Sequence, residues 1–236
     1  MTEKKETPER RETNQGENTE ILPLPLPEEG KEFKKKKTAV REGILDDEQY
    51  QLFMREAGLS ICKKQKTMRV AQLRIIYTLL YFWGLRVNEI RNLTKNQLLT
   101  VIGTGRVRIL FRERKFYFFE MRFLPRLGQK KLKKLLPEIE LLFHNYGFHY
   151  LGNSKTFSKE VFNEFSFAYF INQDMIDISK KFELSETFKS HSFRVGYITK
   201  LQKTMSLEKR KQIMSGNCRM KKEEIQDLLQ EAFPET

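Results

Sequence analysis

The sequence has few of the residues that build disulfide frameworks or metal sites. Its 236 residues include two cysteines and three histidines, too few for a disulfide scaffold or a zinc module. The longest apolar run, around Ile75–Trp83, is too short to span a bilayer. No lipidation signal or basic amphipathic helix indicates a membrane surface. We therefore expect no metal, no cofactor and no membrane partner.

Positive charge is abundant and unevenly placed. The net charge is +13, yet residues 1–39 carry nine Lys or Arg and nine Glu, while residues 40–236 carry 35 basic and 22 acidic side chains. A folded region this positive favours a polyanion, because each Lys or Arg near a phosphate releases a counterion. Nucleic acid is the predicted partner.

The composition changes near residue 39. Residues 1–39 hold four of the seven prolines and a single aromatic residue, Phe33, which is typical of a disordered segment. We predict a disordered, charge-balanced tail at 1–39 and one folded domain at 40–236. The lysines at 34–37 form either a solvated hinge or an arm that contacts phosphate, and the sequence favours neither.

Apolar residues recur at helical spacing through most of the folded domain. In the helix predicted after Thr156, Phe162, Phe165 and Phe170 are expected to face the core. The predicted helices are 46–58, Thr67–Gly84, a short one through Ile90 and Leu93, Gly128–Leu136, Ser158–Ile171, a helix capped by Ser190 or Ser192 that runs to Lys203, Leu207–Ser215 and Lys221–Phe233.

The period changes near Val101. After a cap and turn at Thr94–Leu98, a second turn is predicted at Gly103–Gly105. The predicted strands that follow are Val107–Phe111, Phe116–Met121 and a short third one at Arg122–Leu124, with a charged turn at Arg112–Lys115. The predicted fold class is mainly α with a small antiparallel β-sheet (α+β).

Two short arginine boxes lie about a hundred residues apart. The first reads Gly-Leu-Arg-Val-Asn-Glu at 84–89, and the second reads His-Ser-Phe-Arg at 191–194. His191 and Arg194 are three residues apart, so they share one face near a helix N-terminus. Backbone N–H groups and the helix dipole favour a phosphate there.

Arg86 of the first box follows Gly84 in a tight corner. Such a corner restricts the direction in which the guanidinium points. Glu89, three residues on, either holds this guanidinium by a bidentate pair or neutralises it. Together the two boxes predict a phosphate-binding pocket.

In this order, on either side of a predicted hairpin, the boxes resemble those of the tyrosine recombinase (phage integrase) family. Residues 79–90 are similar to its first arginine box and residues 191–194 to its His-x-x-Arg box. The resemblance covers the catalytic domain, from about Ile44 to the C-terminus. It implies a recombinase-like fold acting on double-stranded DNA in recombination or integration, without metal, with self-assembly on DNA.

The resemblance also implies roles for individual residues. Arg86 and Arg194 would clamp the scissile phosphate, and His191 would orient it or transfer a proton. Asn217 stands where the family has an aromatic ring donor, and an amide can also donate a hydrogen bond to phosphate.

A lysine of the hairpin turn protonates the leaving 5′ oxygen in that family. Lys115 is the predicted lysine, although Arg112 occupies this place in another register. The difference matters because an arginine does not readily give up a proton.

The nucleophilic tyrosine of the family has no evident counterpart. No tyrosine follows Tyr197, and alignment on Asn217 puts Gln226 near the nucleophile's position. We interpret Tyr197 as a partly buried helix residue, because the family attacks from a later helix. Phe233 is interpreted as a core contact rather than a remnant of the tyrosine.

The sequence thus predicts a degenerate tyrosine recombinase or integrase homologue. A non-catalytic DNA-binding protein with the same fold is the alternative. A helical RNA-binding protein has only charge and aromatic content in its favour. The Lys- and Phe-rich composition is typical of A/T-rich coding sequences, as in mobile elements and organelle genomes (plastid or mitochondrion).

Overall fold

Helices account for most of the described residues, as the sequence predicts. The computed structural model describes residues 46–113, 116–153, 164–184, 188–215 and 220–234, without the side chains of 111–118 and 164. All of them belong to a unit that spans residues 40–236. The tail predicted at 1–39 lies outside the described residues.

The described part contains one two-stranded sheet among its helices. A 3₁₀ turn spans Lys63–Gln65, and a π turn spans Leu141–Asn145. The elements are α1 Asp47–Glu56, α2 Lys66–Trp83, α3 Val87–Arg91, α4 Lys95–Thr104, β1 Arg106–Glu113, β2 Phe116–Phe123, α5 Arg126–Lys134, α6 Leu136–Glu140, α7 Glu164–Lys181, α8 Ser190–Thr204, α9 Leu207–Ser215 and α10 Lys222–Ala232.

Helix α2 forms the centre of the core. Fourteen of its 18 residues are buried, as expected for a helix that is apolar on nearly every side. Helices α1, α5, α6 and α8 pack around it, and α10 packs on α8 and α5. Gly84 ends α2 in the left-handed conformation (φ 59°) and donates its N–H to the Leu80 carbonyl. This ending turns the chain into the corner that holds Arg86.

The sequence interpretation of residues 94–105 is wrong in one respect. Thr94 is a helix N-cap, as predicted, but the turns predicted at Thr94–Leu98 and Gly103–Gly105 belong to a single helix, α4, which ends at the left-handed C-cap Gly105 (φ 72°). Leu98 and Val101 are fully buried. Because they lie three residues apart, they form the apolar stripe that holds this segment as a helix.

The hairpin is longer and simpler than predicted. The charged turn at 112–115 is too long, since β1 continues to Glu113, which pairs with Phe116. The separate third strand at 122–124 is also wrong, because β2 runs unbroken to Phe123. Cross-strand pairing uses backbone groups, so charged side chains near the hairpin end do not stop the ladder.

Of the described residues of α7 that were predicted to face the core, Phe170 does so and Phe165 does not. Phe165 is 86% exposed, whereas Phe167 is fully buried and Phe170 packs partly buried against the core. Phe162 lies outside the described residues. Side chains two positions apart on a helix differ in direction by about 200°, so Phe165 and Phe167 point to opposite sides. The buried stripe continues through Ile171, Met175 and Ile178.

Candidate functional site

The structure brings the two arginine boxes together. The Nη1 atom of Arg194 donates to the backbone carbonyl of Gly84 at 2.5 Å. A Cβ atom at Gly84 would lie 2.3 Å from the ring of Tyr197, well inside van der Waals contact. A glycine at this position is therefore what lets α8 approach the end of α2 so closely.

Arg86 is the N-cap of α3, and Glu89 fixes its backbone. One Glu89 carboxylate oxygen accepts from the Arg86 N–H at 2.9 Å, and the other accepts from its guanidinium at 3.4 Å. Glu89 is buried, whereas the Arg86 side chain is 53% exposed. Glu89 therefore does not hold the Arg86 guanidinium by a bidentate pair, one of the two roles expected from the sequence. It uses one carboxylate oxygen for the backbone N–H and the other for the guanidinium. The guanidinium therefore keeps a large face open to solvent.

Arg194 is half-buried among further charges. Burial lowers the pKa of its guanidinium, Glu89 opposes this shift, and Arg86 and Arg122 reinforce it. The charges of Glu89, Arg86 and Arg122 thus all act on Arg194. Positive charge in a partly buried place favours an anion.

Arg122 is the residue of this cluster that sequence reasoning missed. It lies near the end of β2, is 5% exposed, and forms an ion pair with Glu120 at 2.6 Å. Its Nη1 atom also donates to the carbonyl of Met214, near the end of α9. The sequence shows that Arg122 lies within an apolar strand, but this indicates a buried arginine only when the hairpin register is known.

His191 lies in the first turn of α8 with an exposed side chain, three residues before Arg194. The predicted cap is corrected: Lys189 is the N-cap, and Ser192 accepts a hydrogen bond from the Lys189 N–H at 3.2 Å. Ser190 donates its N–H to Asn172 at 2.8 Å. The imidazole therefore stands at the open, positive end of the helix that carries Arg194.

Two predicted site residues, Lys115 and Asn217, lie outside the described residues. The backbone of Arg112 pairs with Tyr117 in the hairpin, and its side chain is not among those described. The choice between Lys115 and Arg112 in the hairpin position therefore stays a prediction.

Tyr197 is a residue of helix α8, as the sequence predicts, but it is more deeply buried than expected. It is 2% exposed, and its ring stacks on Phe233 with centroids 5.4 Å apart. Burial raises the pKa of its phenol, and the charges of Arg122 and Arg194 oppose that rise. Phe233 is also 2% exposed and lies 5.9 Å from the Phe82 ring, which agrees with its interpretation as a core contact.

Gln226, the residue aligned with the family's tyrosine, is a buried amide of α10. It is 4% exposed, and its Nε2 atom donates to the Leu124 carbonyl at 3.1 Å. Its Oε1 atom has no hydrogen-bond partner among the described residues. This side chain joins α10 to the segment between β2 and α5.

Within the described ranges, no three His, Cys, Asp or Glu side chains are grouped as metal ligands. None of the helices described there is long and apolar enough to cross a membrane. No model of a known protein family matches the sequence, and no curated protein matches it significantly. What this site binds must therefore be inferred from its own geometry.

Proposed function

We propose that this chain binds double-stranded DNA through a phosphate held at Arg86 and Arg194, as a degenerate homologue of the tyrosine recombinases. The observation that carries the proposal is the hydrogen bond from Arg194 to the Gly84 carbonyl. It brings the guanidinium of the second box to the corner from which Arg86 projects. Neither box alone supports this function.

The exposure of the site supports a large ligand. Arg86 is about half exposed and His191 is exposed, while Arg194 is half-buried. A phosphate on the duplex surface can reach such a site without entering a closed cavity. Planar guanidinium groups bind phosphate oxygens in pairs, and the α8 N-terminus adds positive potential.

The sequence resemblance extends this proposal to a reaction. In the recombinase family, two arginines and a histidine stabilise charge on the scissile phosphate while a tyrosine attacks it. Tyr197 is the tyrosine that follows the second box most closely in sequence, and burial raises the pKa of its phenol. A buried, protonated phenol is a poor nucleophile. This observation favours the second candidate, a DNA-binding protein that does not cleave.

Fluorescence anisotropy with a labelled duplex tests the binding proposal. Arg86→Gln and Arg194→Gln should each weaken binding about tenfold at constant salt. Arg108→Gln removes the same charge from an exposed position on β1 and should cost less than about threefold. Equal losses in all three variants would mean that surface charge alone holds the DNA.

A duplex with a nick near the cleavage point, which traps covalent intermediates, tests catalysis. We expect the wild type to bind this substrate without forming an adduct that survives SDS. An SDS-stable adduct would establish strand cleavage and replace the non-catalytic candidate by an active recombinase. Tyr197→Phe would then show whether the buried phenol attacks.

A further inference from the structure

Arg122 is a buried charge to which the resemblance assigns no role. Its side chain contacts two other parts of the chain: Glu120 by an ion pair at 2.6 Å and the carbonyl of Met214 by a hydrogen bond. A buried guanidinium carries a large desolvation cost unless such contacts compensate it. These contacts fix Arg122 in one place.

That place is beside the phosphate site. The charge of Arg122 acts on Arg194 and on Tyr197, two residues on adjoining turns of α8. Helix α9, whose Met214 carbonyl accepts from Arg122, packs against both β2 and α8. Arg122 therefore connects the strand, the end of α9 and the arginine of the second box.

We propose that Arg122 is a positioning residue of the phosphate site, which fastens the end of α9 to β2 and holds it against the helix that carries Arg194. The charge of Arg122 also adds positive potential at Arg194. This inference rests on the proposed DNA binding.

The contacts explain why an arginine occupies the position. The guanidinium fork reaches the Glu120 carboxylate with one terminal nitrogen and the Met214 carbonyl with the other. A lysine carries the same charge on a single nitrogen and does not reproduce this planar fork. Arg122→Lys should therefore preserve charge and folding but lose the connection between strand and helix.

A double-mutant cycle tests the inference. The affinities of the wild type, Arg122→Gln, Arg194→Gln and the double variant are measured with one labelled duplex, and urea unfolding is followed for each. Arg122→Gln should weaken binding about tenfold in the wild-type background. In the Arg194→Gln background it should cost less than about twofold, because its effect passes through Arg194.

A merely structural role gives a different result. Equal losses in both backgrounds, or losses that follow the unfolded fraction, would overturn the inference. Arg122→Lys replaces Arg122→Gln in the cycle if the latter does not fold, with the same dependence on Arg194 expected. An Arg122 substitution that leaves affinity unchanged also overturns it.

The same measurements separate this inference from the proposed function. If Arg194→Gln binds the duplex as well as Arg108→Gln does, the phosphate site itself is wrong and the inference fails with it. If Arg194→Gln is weakened and the Arg122 variants are additive with it, only the positioning role is wrong.

Discussion

The guanidinium of Arg194 and the backbone carbonyl of Gly84 are joined by a hydrogen bond across 110 residues of sequence. Gly84 meets three demands at once: a left-handed φ, a carbonyl directed at α8, and no side chain where the Tyr197 ring packs.

Gly84→Ala should lower the free energy of unfolding by about 2–4 kcal/mol. A positive φ costs a residue with a Cβ of the order of 1 kcal/mol, and overpacking against Tyr197 adds about 1–3 kcal/mol. DNA affinity should also fall, because Arg194 loses its place beside the Arg86 corner. Urea unfolding and duplex binding measure the two effects.

Gly103→Ala is the matched control. A Cβ there meets no atom within 4 Å, and the residue lies in the last turn of α4. Alanine is the better helix former by about 0.5–1 kcal/mol, so this variant should be no less stable than the wild type. Equal stability of the two alanine variants would contradict the close contact of α2 with α8.

Glu89→Gln should strengthen DNA binding while weakening the fold. The buried carboxylate offsets the positive charge of Arg86 and Arg194, so its removal should raise duplex affinity about two- to fivefold at low salt. Stability should fall by about 1–2 kcal/mol, because the charge-assisted bonds to Arg86 weaken. Anisotropy and urea unfolding report these opposite changes.

Glu138→Gln is a suitable comparison for Glu89→Gln. Glu138 pairs with Arg74 at 2.7 Å and is 18% exposed, but it belongs to α6 and not to the arginine cluster. Its substitution should leave duplex affinity within about twofold of the wild type. A gain equal to that of Glu89→Gln would show that Glu89 acts only through net charge.

Sequence periodicity was sufficient for the elements that depend on local signals. Helix α2 was predicted nearly to the residue, because its apolar spacing and the glycine at 84 are both local. The pairing of Arg194 with this same glycine was suggested by the two boxes but rests on α8 packing against α2, a contact between distant segments.

Other features depend on partners that a local pattern does not specify. The extent of α4 was missed because Leu98 and Val101 are buried only through packing with the surrounding core, which the local pattern does not specify. Arg122 was missed because its burial and its contact with Met214 require the hairpin register and the position of α9. The extent of α4 and the burial of Arg122 both depend on tertiary contacts.

The two phenylalanines of α7 test the corrected phase of that helix. Phe167→Ala should lower the free energy of unfolding by about 3–5 kcal/mol, because a fully buried ring leaves a cavity. Phe165→Ala, with its ring 86% exposed, should change stability by less than about 0.5 kcal/mol. The midpoints of urea unfolding measure both losses. A larger loss for Phe165→Ala than for Phe167→Ala would mean that Phe165 faces the core, as the sequence predicts.

Asp174 should make the stability of the protein depend on pH in a narrow range. It is 4% exposed on α7, and its carboxylate accepts from the Tyr77 hydroxyl at 2.6 Å and the Gly58 N–H at 2.9 Å. Burial raises its pKa from 3.8 to about 6, Asp177 reinforces the rise, and the two hydrogen bonds oppose it.

The direction of the effect follows from proton binding. Between pH 3.8 and about 6 the folded state holds the Asp174 proton more firmly than the unfolded state does. The contribution of Asp174 to the free energy of unfolding is therefore fully present below the pKa of the unfolded state. It is lost as the pH rises through the pKa of the folded state, and the loss amounts to at most about 3 kcal/mol. Above about pH 6 both states are ionised and the contribution is constant.

Asp174→Asn should remove this fall, because an amide does not titrate. Urea unfolding of the variant between about pH 4 and 7 should show a flatter profile than that of the wild type. Asp227→Asn, an exposed change on α10, should keep the wild-type profile. If Asp174→Asn loses stability over this range as steeply as the wild type, another group titrates there, and the buried carboxylate between Tyr77 and Gly58 is already ionised at low pH.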